Sequence, residues 1–257
     1  MLELVDTHTH LDSPEFADDQ AEVIQRAVAA GVTKLVTIGA SDGFDSAERA
    51  IALAEKYEYI WASVGIHPHD APTPTDRERL MQLGGHPKVV AIGETGLDFF
   101  RDWSPKDLQE KWFRLQIEIA RELKKPIIIH SRDAGPECLE ILKAEQAADV
   151  GGVFHCFAEN AEFALKLAEI NFLVSFPGTL TFKKADSVRA AAIKIPIEQI
   201  MLETDAPYMS PSPLRGKRCE SSYMIHTAAV LADIKNLSLE EVAKVTTQTA
   251  CEFYRIP

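Results

Sequence analysis

Short apolar runs alternate along the chain with longer amphipathic stretches. Leu4-Val5-Asp6-Thr7-His8-Thr9-His10 is β-prone with no helical period, so it predicts the first strand. Further short, largely apolar runs lie at 33–38, 60–66, 89–94, 127–129, 152–154, 172–176 and 200–205. They read as parallel strands buried on both faces. Helical spacing predicts helices near 15–30, 44–57, 76–84, 104–123, 135–145, 160–169 and 184–193, with two more at 223–234 and 239–253. Gly31 is placed to end the first helix and Ser104-Pro105 to open the fourth. A proline-rich loop, Ala71 to Thr75, precedes the third helix, and an irregular loop from Ala206 to about Ser221 follows the eighth strand.

Eight strands alternating with helices predict a (β/α)8 TIM barrel, one α/β domain spanning 1–257. An open doubly wound sheet is the alternative. The barrel is preferred because polar residues recur at C-terminal strand ends in both halves of the chain. Only closure sets the first strand beside the eighth.

The composition, 46% apolar and 26% charged over 257 residues, is ordinary for a globular protein. No apolar run approaches the roughly 20 residues of a membrane helix. Met1 leads almost directly into the first strand without a basic-then-apolar leader, which predicts a cytoplasmic protein. Cys138, Cys156, Cys219 and Cys251 form no Cys-x-x-Cys pair, so free and mostly buried thiols are expected. The net charge of −12 argues against broad binding of duplex nucleic acid. It leaves room for a small anionic site, because a bound cation reverses the local sign.

Candidate chemistry collects at the strand ends. Alternate side chains of a strand share a face, so Asp6, His8 and His10 point one way. Glu94 ends the fourth strand, His130 the fifth, His155 the sixth and Asp205 the eighth. In a barrel these ends share one rim, where active sites sit. Taken singly, each is equally a hydrogen-bonded strand-end residue; together they suit a divalent metal held by nitrogen and oxygen, with zinc, manganese, iron and magnesium all open. Six donors exceed the roughly three protein ligands of one open catalytic metal, which predicts two metal ions with Glu94 between them.

These stretches resemble the successive signatures of the TatD family. They are Asp6-Thr7-His8-Thr9-His10-Leu11, Gly65-Ile66-His67-Pro68-His69, Gly93-Glu94-Thr95-Gly96-Leu97-Asp98, His130-Ser131-Arg132, His155-Cys156-Phe157 and Glu203-Thr204-Asp205-Ala206-Pro207-Tyr208. TatD proteins are metal-dependent hydrolases of the amidohydrolase superfamily, often described as deoxyribonucleases. The resemblance implies metal ligation by His8, His10, Glu94, His130, His155 and Asp205, the six also reached from strand ends. Two loops depart from the family pattern. Cys219-Glu220-Ser221 stands where Asn-Glu-Pro is usual, and Ala158-Glu159 where a glycine is usual. A carbamylated lysine bridge, used by other amidohydrolases, is not indicated, because Lys88 lies at the start of the fourth strand.

The activity expected is phosphodiester hydrolysis by a metal-activated hydroxide, 3′→5′ at single-stranded DNA ends or on small phosphodiesters. Asp205 is the candidate proton acceptor, with Glu203 beside it on the same face. His67, Arg132, Arg215 and Arg218 are candidate phosphate ligands; His69, Arg101, Lys183, Lys184 and Lys217 lie on the same rim. Amide, lactone or aminoacyl-ester hydrolysis on the same metals is the alternative, and a metal-holding scaffold the third reading. No membrane and no obligatory protein partner are expected.

Overall fold

A computed structural model describes residues 2–71, 76–101 and 103–257. Most of the expected Ala71–Thr75 loop lies outside the described residues. The strands are β1 (Leu4–Thr9), β2 (Val32–Gly39), β3 (Ile60–Val64), β4 (Val89–Asp98), β5 (Ile127–Arg132), β6 (Gly152–Phe154), β7 (Phe172–Phe176) and β8 (Ile200–Leu202). They form one sheet in sequence order, and the pairs β1–β2, β3–β4, β4–β5, β5–β6 and β7–β8 are parallel. The helices between them are α1 (Gln20–Ala29), α2 (Phe44–Lys56), α3 (Arg77–Gly84), α4 (Lys106–Leu123), α5 (Gly135–Ala144), α6 (Ala161–Ala168) and α7 (Asp186–Lys194). Two more, α8 (Met224–Lys235) and α9 (Leu239–Tyr254), end the chain. This is the (β/α)8 barrel. Strands β1 and β4 are buried along their whole length, as parallel strands covered on both faces must be.

Two compact units make up the chain. The first comprises 1–37, 156–168 and 173–257. Here β8 returns to β1: the Asp205 amide donates to the His8 carbonyl (2.9 Å) and the His10 amide to the Ala206 carbonyl (2.7 Å). The Thr7 hydroxyl adds a bond to the Leu202 carbonyl. Closure of the eighth strand on the first is therefore observed directly.

The second unit comprises 38–155 and 169–172. Helix α4 pins its strand ends through two buried glutamines, seven residues apart and so on one helix face. Gln116 accepts from the Ile66 amide (2.7 Å) and donates to the Ile66 carbonyl (3.0 Å) and the Thr95 hydroxyl. Gln109 accepts from the Asp98 amide (2.8 Å) and donates to the Ser104 carbonyl (2.9 Å).

Several boundaries differ from expectation. The first helix does not start near Glu15: Pro14–Phe16 forms a separate 3-10 turn, whose i→i−3 bonds to Pro14 and Phe16 carbonyls delay α1 until Gln20. Ser104 does not cap α4, because the extended Pro105 takes that position and its carbonyl receives the Leu108 and Gln109 amides. Strand β4 runs on to Asp98, since Thr95–Asp98 pairs with Ile129–Arg132. Strand β8 stops at Leu202, and Asp205 turns the chain in the left-handed region at φ 53°.

Candidate metal centre

In the first unit, β1 and the turn after β8 gather His8, His10 and Asp205. The Nε2 atoms of His8 and His10 lie 3.7 and 3.3 Å from Asp205 Oδ1. The two imidazoles stand edge to face, their centroids 5.2 Å apart. Asp205 holds its left-handed conformation where few non-glycine residues settle, and such strain collects at functional sites. Asp6, one turn of the pleat before His8, braces this corner by accepting from the Thr204 amide and hydroxyl. Burial raises the Asp6 carboxyl to about 6. Glu203 is fully buried, its two oxygens taken by the Cys156 amide and the Ser175 hydroxyl.

In the second unit, three imidazoles converge on one carboxylate oxygen. Glu94 Oε1 lies 2.7 Å from His155 Nε2, 2.8 Å from His130 Nδ1 and 3.4 Å from His67 Nε2. A register shift between Ile92 and Thr95 aims Glu94, as a bulge does. Gly96 permits the approach of β5: a Cβ there would lie 2.1 Å from the His130 carbonyl oxygen, and its φ is +136°. Burial alone would raise the Glu94 carboxyl. The imidazoles around it, His155 first and then His67 and His130, overcome it and hold Glu94 well below the carboxylate range.

His67, expected to bind phosphate, belongs to this cluster. Burial lowers it to about 4, so it is neutral at pH 7. The His69 amide donates to its Nδ1 at 3.1 Å, which leaves the proton on Nε2.

A second carboxylate, buried Asp98, was not assigned a role from sequence. Its Oδ2 lies 2.7 Å from His69 Nε2 and 3.1 Å from His130 Nε2, while Oδ1 accepts the Phe100 and Arg101 amides. The apolar run ends at Glu94, which hid the continuation of β4; the only hint was the Gly-Leu-Asp that follows. His130 thus sits between two carboxylates.

The donor chemistry fits divalent metals. His67, Glu94 and His130 offer ligand atoms all within 4.8 Å of one another, and so do His69, Asp98 and His130. Nitrogen and oxygen donors without thiolate suit zinc, manganese, iron or magnesium. Lys88 takes no part: its ammonium donates to the Tyr57, Glu58 and Ile60 carbonyls at the start of β3.

The basic candidates divide. Arg132 is exposed at the end of β5 with its guanidinium 4.0 Å over the Phe100 ring. Arg215 is exposed and stacks on Phe182 at 3.6 Å. Arg218, in contrast, is drawn to Asp19 through two bonds and to the Glu15 carbonyl, so its charge is already matched. Lys183, Lys184 and Lys217 are exposed.

A (β/α)8 barrel with imidazoles and carboxylates clustered at its strand ends defines a metal-dependent hydrolase. The profile described as TatD related DNase matches residues 5–255, and the chain belongs to that family. It is 43% identical to YabD of Bacillus subtilis, named an uncharacterized metal-dependent hydrolase, over 98% of this chain and 99% of that one. It is 31% identical to TatD of Salmonella typhimurium, named a 3′-5′ ssDNA/RNA exonuclease, over 98% and 99% of the two chains. The crystal structure of YjjV, a TatD homologue from Escherichia coli K12, superposes with a TM-score of 0.93 at 29% identity, covering 99% of this chain and 98% of that one. None of the described helices is long and apolar enough to cross a membrane.

Proposed function

We propose that this hydrolase cleaves phosphodiesters and releases nucleotides from the 3′ ends of single-stranded DNA. His8, His10 and Asp205 in the first unit, and Glu94, His130 and His155 in the second, are the proposed ligands of two divalent metal ions. The observation that carries the reading is the convergence of His67, His130 and His155 on a single oxygen of Glu94. A buried carboxylate ringed by imidazoles offers the nitrogen and oxygen donors that divalent metals take. The family, and the exonuclease name of the Salmonella relative, support a nucleic-acid substrate.

A divalent metal, when bound, supplies a Lewis acid toward the phosphoryl oxygen and lowers the pKa of water. Asp205 accepts the proton of the attacking water, its position fixed by the left-handed turn and by His8 and His10. Glu203 acts by position: it holds the Cys156 amide and the Ser175 hydroxyl. Neutral His67 donates its Nε2 proton, and the exposed guanidinium of Arg132 supplies charge to phosphate. Placement in the cytoplasm belongs to the same proposal and is read by cell fractionation.

The test is incubation of 3′-end-labelled single strands with the purified protein. Mononucleotides released with added metal, and lost with chelator, are expected. Asp205→Asn is expected to abolish release while keeping the fold. Inactivity with every divalent metal, or turnover of amides and carboxylic esters alone, overturns the reading.

A further inference from the structure

Next to the second unit's cluster, the loop after β4 holds two aromatic side chains out in solvent. Phe100 is 54% exposed and Trp103 61% exposed. Large apolar side chains exposed together call for an explanation beyond chance. Neighbouring backbone is held: Asp98 takes the Phe100 and Arg101 amides, and the Ser104 carbonyl accepts from Gln109. Two guanidiniums share the patch. Arg132 lies over Phe100 at 4.0 Å, and Arg101 lies 5.4 Å from the Phe100 centroid and 5.0 Å from that of Trp103. The patch is continuous with the cluster, because His69 packs edge to face on Trp103 at 4.5 Å while its Nε2 meets Asp98.

We propose that Phe100 and Trp103, with Arg101 and Arg132, form a subsite that stacks nucleobases of a single-stranded DNA substrate. The inference rests on the phosphodiesterase reading above and specifies what that substrate must carry. Single-strand sites combine exposed aromatic rings, which stack any base, with cations that follow the phosphates. Both are present here, on a protein whose net charge of −12 would otherwise repel a polyanion. Guanidiniums lying on the rings keep their edge N–H groups free to meet phosphate while the planes extend the stacking surface. An amide or lactone substrate would have no use for paired aromatic planes flanked by cations, and a duplex would hide its base faces. The terminal bases of a single strand therefore fit this platform, with the adjoining phosphate directed toward the His69 side.

The experiment measures binding apart from turnover. A fluorescein-labelled, phosphorothioate-linked single-stranded oligonucleotide resists cleavage, and its affinity for the metal-loaded full chain is read by anisotropy. Trp103→Ala is expected to weaken binding about tenfold, roughly the stacking of one base. Trp103→Phe is expected to restore most of the loss. The difference between wild type and Trp103→Ala is expected to vanish on a strand with abasic residues at its 3′ end. Equal affinity of wild type and Trp103→Ala for the base-bearing strand, or no binding of that strand by wild type, overturns the subsite. Release of mononucleotides from cleavable strands, measured in parallel, reports on the hydrolase reading independently. Because Trp103 is exposed, unaltered thermal unfolding of the variants separates lost contact from lost fold.

Discussion

The Nε2 atom of His130 stands 3.1 Å from Oδ2 of Asp98 while its Nδ1 faces Glu94 at 2.8 Å. Asp98 thereby fixes which imidazole nitrogen is turned toward the Glu94 cluster. Burial opposes a charged His130, but its hydrogen bonds to Asp98 and Glu94 prevail and raise its pKa. A carboxylate behind a ligating histidine orients the ring and raises its basicity, and its loss costs roughly 10–100-fold in metal affinity. Asp98→Asn is therefore expected to weaken metal binding by about that factor, measured by calorimetric titration of the metal-free protein with manganese or zinc. A merely structural Asp98 would lower the unfolding midpoint and leave metal affinity unchanged.

Gln116 supplies the only described side-chain bonds to both backbone groups of Ile66, at zero exposure. Its replacement by leucine keeps the volume and strands a buried amide and carbonyl. Each stranded group costs about 1–3 kcal/mol. Gln116→Leu is expected to lower stability by roughly 2–5 kcal/mol in urea unfolding, whereas an exposed change on the same helix, Lys111→Leu, should shift it by less than about 0.5 kcal/mol. A midpoint unmoved by Gln116→Leu would refute the pinning role.

Strand and helix identity was legible because short apolar runs alternate regularly with longer stretches of helical spacing. His8, His10 and Asp205 were legible for the same reason, as strand ends that closure of β8 on β1 brings together. Asp98 and the glutamines of α4 were not. A buried glutamine on a helix looks like any surface glutamine until the strand end that it satisfies is known. Asp98 was masked by Gly96, whose glycine reads as a loop but serves here to let β5 come close. The pairing of Arg218 was not legible either, because its partner Asp19 lies about two hundred residues away in sequence.

Arg26 on α1 grips Glu220 in the loop after β8, with bonds of 2.6–3.0 Å. Burial would raise Glu220, but Arg26 and the Ser222 hydroxyl hold it below its ordinary value of 4.5. A lowered carboxyl contributes stability that is present above pH 4.5 and fades as pH falls below it. Arg26→Ala is expected to cost about 2 kcal/mol at pH 7, the worth of a charge-assisted bond. The difference from wild type should narrow below about pH 4. Faster hydrogen exchange across 206–221 would place the loss in this loop. A pH-independent difference would rule out the ion pair as its source.

Cys219 stands where the family pattern has asparagine, and it is fully buried. Burial first, and the Asp6 carboxylate second, push its thiol from 9.0 up to about 12. In the unfolded chain the same thiol ionises near its ordinary value. Its contribution to stability is therefore whole below pH 9 and declines as pH rises toward 12. Each unit of difference is worth about 1.4 kcal/mol, so alkaline conditions draw off up to about 4 kcal/mol through this one group. Tyr254 is raised as well and Lys125 lowered, so the wild-type curve alone does not isolate the thiol. The comparison with Cys219→Asn does. Urea unfolding at pH 7, 9 and 10.5 is expected to show the variant losing less stability with pH than wild type, whatever their difference at neutrality. Iodoacetamide at pH 8 should also leave Cys219 unlabelled in the folded protein, because both its burial and its raised pKa deny the thiolate. Parallel pH profiles for the two proteins, or ready alkylation of Cys219, would mean that the loop opens in solution and that the thiol spends time in water.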